Sequence, residues 1–186
     1  MNWTTSKALA GGRVAALLSL TCVLVTAGGD STAIASGFRE GLEGAWAVQV
    51  TLRDCATNAA LGAPFNSLVS FHDGGTLSES AGSLAFAAGQ RSPGHGTWTR
   101  QGRHTFLQRM IALILFDTPA NLPGTPGFNP SLPVSPGFFA GWQTVTHTVR
   151  LHDGDHATSA GINEFYKSDG TLYRTGCSTA TDQRFE

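Results

Sequence analysis

Six histidines are the side chains of this 186-residue chain best suited to chemistry near neutral pH. Their spacing decides what each one can do. His152-Asp153-Gly154-Asp155-His156 packs two imidazoles and two carboxylates into five positions, a donor set suited to zinc or calcium. The same Asp-Gly pair is ordinary turn chemistry, and the favoured reading is a solvated turn with no metal. His147 alternates with Val145, Val149 and Leu151; His104 shares a face with Phe106 and Met110, and His72 with Leu68 and Ser70. An imidazole aimed into an apolar interior can orient a ligand or act as general acid or base. A hydrogen-bonded core histidine satisfies the same pattern and is the plainer reading. Glu79 and Glu164 are the carboxylates available to partner these rings, and Glu164 alternates with Ile162 and Tyr166, which leaves its direction open.

Several chemistries are excluded by what the sequence lacks. It has no G-x-S-x-G elbow, no phosphate loop, no H-E-x-x-H and no C-x-x-C, so no catalytic residue, cofactor or metal is assigned. Twelve Lys+Arg against thirteen Asp+Glu, in a chain only 13% charged, rule out nucleic-acid binding by phosphate neutralisation. A hydrophobic content of 41% rules out a disordered chain.

The elements that must hold these residues are strands. Residues 44–53 put Trp46, Val48, Val50 and Leu52 on one face and Ala, Gln, Thr and Arg on the other, a period of two. Further strands are expected at 67–72, 75–80, 96–100, 104–117, 142–151, from the 152–156 reversal to about 166, and at 171–180. Turns containing Asp-Gly or Gly connect most of them. The 104–117 segment is apolar on both faces and could be a short buried helix, although its β-branched and aromatic content favours a strand. Residues 118–140 break the rhythm: Pro119, Pro123, Pro126, Pro130, Pro133 and Pro136 forbid a regular helix. Phe128, Phe138 and Phe139 in this stretch favour a lid over a solvated linker. Eight antiparallel strands with hairpin connections fit an all-β, up-and-down barrel without a C-terminal helix; a two-sheet sandwich is the runner-up.

The N-terminus carries a different signal. Lys7 and Arg13 precede an uncharged stretch from Val14 to Ala27, and small residues lead to Ala33-Ile34-Ala35. Residues 1–35 therefore read as a secretory signal peptide, too short in its apolar run for a membrane span, leaving a β-barrel domain at 36–186. The expected location is secreted or periplasmic, with no stable membrane span after cleavage. The mature chain retains Cys55 and Cys177, which an oxidising compartment would join; two free thiols are the alternative.

At Gly44-Ala45-Trp46 the sequence resembles the lipocalin and wider calycin barrels. That family opens its first strand with G-x-W, sets the Trp at the closed barrel end, and packs a late-strand Arg across it. The resemblance makes Trp46 that Trp and Arg174 the candidate Arg. Pairing Cys55 with Cys177 across antiparallel end strands leaves Trp46 and Arg174 far apart, so one of the two pairings must give way, and the disulfide is preferred. The resemblance implies a small apolar molecule held in the barrel. Its site would draw on Trp46, Val48, Val50, Phe106, Trp142, Val145 and Val149, with His104 or His147 supplying polarity. The alternatives are a calycin-type isomerase or cyclase acting on an apolar substrate, and an extracellular structural or interaction domain with a filled core.

Overall fold

The computed structural model describes residues 41–185; the signal-peptide reading of residues 1–35 lies outside them. Eight strands run in chain order: β1 (Gly44–Arg53), β2 (Phe65–Phe71), β3 (Thr76–Ala81), β4 (Gly94–Arg100), β5 (Thr105–Ile114), β6 (Gly141–Leu151), β7 (His156–Lys167) and β8 (Leu172–Phe185). Each pairs antiparallel with the next, and β8 returns to β1, closing the barrel. No helix occurs among the described residues, and so none long and apolar enough to cross a membrane. Closure removes the sheet edges that would otherwise template aggregation.

Alternation selects the interior. Trp46, Val69, Phe71, Leu77, Trp98, Phe106, Val149 and Leu151 pack into one apolar cluster at the end where β1 begins. Trp98 meets Phe71 and Phe106 edge-on at 6.1 and 5.7 Å, and Trp46 donates its indole N–H to the Leu42 carbonyl at 2.8 Å. The 104–117 segment forms a strand rather than a buried helix. Its inward positions, Phe106, Gln108, Ala112 and Ile114, are buried, whereas Ile111, Leu113 and Leu115 are exposed.

β8 runs five residues past the expected end at 180, and this corrects one assignment. Arg184, not Arg174, lies across Trp46, with its guanidinium carbon 4.3 Å from the ring centroid. The pairing Trp46↔Arg184 brings the two together, and Arg184 also donates to the carbonyls of Glu43, Gly41 and Gly154. Arg174 sits at the opposite end, over Phe138 at 5.0 Å and donating to the Pro136 carbonyl. With Arg184 in that role the conflict disappears. The same register sets Arg53 opposite Cys177 and lets Cys55 reach it, forming the disulfide at the other end of the β1–β8 seam. The bridge is consistent with an oxidising compartment.

The long loop is built rather than loose. Asn121 is buried and donates to the carbonyls of Asn129, Leu132 and Pro133 while accepting from the Asn129 N–H at 2.8 Å. The bridges Thr118↔Phe138 and Asn121↔Ser135 close its base. Gln90, fully buried, ties the 85–90 turn to it through the Phe116 carbonyl and the Thr118 hydroxyl. These bonds satisfy backbone groups that proline-rich chain cannot pair by itself.

Candidate functional site

The site is built from inward-facing positions midway along the strands. Val48 and Val50 from β1, Val69 and Phe71 from β2, Met110 from β5, Val145 from β6 and Ala180 from β8 form an apolar wall around a cavity of about 70 Å³. Phe86 also lines the cavity and stacks on Phe138 of the long loop at 4.4 Å; Phe138 in turn packs on Phe165 at 5.3 Å. Two polar groups of side chains interrupt this wall.

The first group depends on a glycine. His147 on β6 and Ser178 on β8 both pair with Gly161 on the intervening β7. A Cβ at residue 161 would overlap the Thr146 carbonyl and the His147 ring, so only glycine leaves the imidazole room to lie across β7. His147 Nε2 then meets Ser178 Oγ at 2.8 Å and Nδ1 meets Ser159 Oγ at 3.3 Å. Asn163 donates its amide to Ser178 Oγ at 2.8 Å. Burial pushes the His147 pKa down to about 4, so the ring is neutral at pH 7, with one nitrogen donating and one accepting.

The second group is an ion pair. Arg91 Nη1 lies 2.9 Å from Glu79 Oε2, with both side chains almost fully buried, and Arg91 Nε donates to Gln143 Oε1 at 2.7 Å. Ser67 donates to Glu79 Oε1 at 3.1 Å. These hydrogen bonds satisfy what would otherwise be two costly buried charges.

Asp182 stands apart from both groups. It lines the cavity from β8, is only 9% exposed, and its Oδ1 has no hydrogen-bond partner among the described residues. Its cross-strand neighbours, Val48 and Ala157, are apolar. Burial raises its pKa to about 7.

Val48, Val50, Val145 and His147 line this cavity, together with Glu79. Trp46, Phe106 and Val149 belong to the packed cluster at the closed end and do not reach the cavity. His104 sits there too, its carbonyl accepting from the Leu151 N–H at 2.9 Å. Trp142 lies on the outer face, stacked on Tyr166 at 5.6 Å, because the buried inward positions of β6 begin with Gln143. Glu164 faces outward, accepting from the Thr144 and Tyr166 hydroxyls, and exposed His72 meets Ser78. At 152–156, Asp153 accepts from the Asp155 and His156 N–H groups at 2.8 Å each, as a turn requires. Among the described residues no group of three or more His, Cys, Asp or Glu comes together to hold a metal ion.

Asp182, Arg91, Gln108, Gln143, Ser159, Asn163 and Ser178 lie outside the set of site residues expected from the sequence. Period-two alternation is a signal that places Gln108 and Gln143 on the Val145 side of their strands. Arg91 lies in a loop, where no periodicity exists to orient it.

No family model matches this chain, and no curated protein matches it. Among solved structures it is similar to a redesigned β-barrel, 22% identical, with 78% of this chain and 92% of that chain covered and a TM-score of 0.46.

Proposed function

We propose that this chain is a secreted, lipocalin-like binding barrel that holds a small molecule with an apolar body, residues 118–140 serving as the lid. The observation that carries this reading is the cavity within the barrel, apolar on most sides, with hydrogen-bonding groups gathered on its wall. Binding sites of this kind are concave, mainly apolar and fitted with few polar groups that fix orientation. The Trp46–Arg184 stack supports the likeness to lipocalin barrels, and the disulfide supports export. At about 70 Å³ the cavity is smaller than the roughly 300–1,000 Å³ that drug-sized ligands occupy. The ligand is therefore compact, or it displaces Phe86 and Phe138 on entry.

Native mass spectrometry of the protein purified from its own host tests the reading. A bound mass released on denaturation is the expected result. Apoprotein alone, together with no response to small ligands added in solution, overturns it.

One observation favours a second reading, a barrel enzyme acting on an apolar substrate: neutral His147 lies 2.8 Å from the Ser178 hydroxyl at the cavity wall, a base within reach of a proton. Turnover of a bound ligand, lost in His147→Gln while binding persists, would select this reading over simple carriage.

A further inference from the structure

Resting on the reading of the barrel as a small-molecule binder, we infer that the ligand is a small protonated amine, with the Asp182 carboxylate as its counter-ion. Most other polar groups on the cavity wall are already paired within the protein. His147, Ser159, Ser178 and Asn163 bond to one another, and Glu79 is matched by Ser67 and Arg91. Among the described residues, Asp182 is the carboxylate of the cavity wall left without a matching donor. Val48 and Ala157 flank it across the sheet, and its Oδ1 is buried without a partner.

A buried acceptor left unmatched costs free energy that a donor brought in by a ligand recovers. Charge selects which donor. Glu79 and Arg91 cancel and His147 is neutral, so above pH 7, where Asp182 is ionised, it gives the cavity wall a single uncompensated negative charge. In a low-dielectric interior that charge attracts a cation strongly and repels a carboxylate. Phe65 and Phe71 line the same space, and aromatic rings favour a cation over an anion. Size sets the rest. A cavity of roughly 150 Å³ accepts benzene, with six heavy atoms, so about 70 Å³ admits an amine of two carbons as it stands, and a four-carbon amine enters by displacing Phe86.

The test is a titration of the full mature protein, followed by amide and methyl NMR, with three ligands of matched length: n-butylamine, 1-butanol and butyrate. The expected result is at least tenfold tighter binding of butylamine than of butanol, with shifts at Val48 and Ala180, and no binding of butyrate. In Asp182→Asn the preference for amine over alcohol disappears, while butanol still binds and the spectrum stays folded. Asp182→Leu serves as a second variant, in which a well-dispersed spectrum without amine binding supports the same assignment. Butanol binding as tightly as butylamine to the wild-type protein overturns the amine assignment and leaves the binding barrel standing. An amine preference that survives in Asp182→Asn overturns the role of Asp182. Silence from all three ligands, together with apoprotein from the native source, removes the binding reading itself.

Discussion

Toward the start of β1 the barrel interior is filled by Trp46, Trp98, Phe106 and Val149; half a strand further along, the inward positions carry Gln108, His147, Ser178 and Asn163 around a cavity. The pleat is identical in both halves, since alternation dictates only which side chains point inward and not what they are. At the closed end the indole N–H of Trp46 finds the Leu42 carbonyl, and Arg184 caps the barrel mouth through backbone carbonyls. The cavity half carries an ion pair, a neutral imidazole network and a carboxyl with an unmatched oxygen. A filled apolar core would be at least as stable as this arrangement, because buried ion pairs rarely outperform hydrophobic packing of the same volume. The contrast separates a half closed by apolar packing from a half in which polar side chains surround an open space.

The largest way to break that contrast is at the seam both halves share. Removing the Cys55–Cys177 bridge by a double Cys→Ser substitution releases a loop with a sequence separation of 122. Unfolding in guanidinium should report a loss of about 4–5 kcal/mol on the chain-entropy account. Next comes the packed end itself. Phe106→Ala should cost about 3–5 kcal/mol, transfer plus cavity, because the ring is fully buried against Trp98. Val145→Ala, whose side chain already borders empty space, should cost only about 1–2 kcal/mol, the transfer part alone. Equal losses at the two positions would mean that the cavity half is packed as tightly as the closed end. In the polar layer, Glu79→Ala leaves Arg91 buried without its counter-charge and should cost about 3–5 kcal/mol. The double change Glu79→Leu with Arg91→Met should recover most of that loss in the same denaturation experiment, and its failure to do so would make the ion pair a contributor to stability rather than to the site.

Much of this architecture is legible in alternation and turns. The bounds of β1 are those read from Trp46, Val48, Val50 and Leu52, and the Asp-Gly turns fall where the chain reverses. The disulfide is legible because only two cysteines follow residue 35, which allows one connectivity. What stays hidden is instructive. Thr181-Asp182-Gln183-Arg184 looks solvated, so local pattern ends the last strand at 180 and misses both its inward charges. Asp182 and Arg184 are inward because β8 must match the whole length of β1, a tertiary requirement that local polarity does not announce. Trp142 and Phe106 fail as cavity residues for opposite reasons. The first lies one residue off the inward parity, and the second has the right parity at the wrong height along the barrel axis. Gln90 and Arg91 sit in a loop and are oriented in good part by partners distant in sequence, Thr118 for the first and Glu79 and Gln143 for the second.

The near-flat pH response expected of the wild-type protein gives the sharpest test of the polar half, because two buried groups there pull stability in opposite directions. Asp182 has a native pKa of about 7 against 3.8 unfolded, so between pH 4 and 7 the native state holds a proton that the unfolded chain has lost. Stability on its account falls as pH rises through that window. His147 has a native pKa of about 4 against 6.5 unfolded, so its contribution is complete above pH 6.5 and is lost as pH falls toward 4. The slopes oppose over pH 4–6.5, each at most about 1.4 kcal/mol per pH unit, and the wild-type protein should be nearly flat there. Asp182→Asn exposes the histidine, so stability rises with pH; His147→Gln exposes the carboxyl, so stability falls. Urea midpoints taken at half-unit intervals read both slopes directly. Asp54, Asp153 and Asp169, whose pKa values are lowered by backbone hydrogen bonds at exposed turns, add the same acid sensitivity to all three proteins and drop out of the comparison. Variants whose slopes share one sign would mean that the two groups do not occupy the same dry interior.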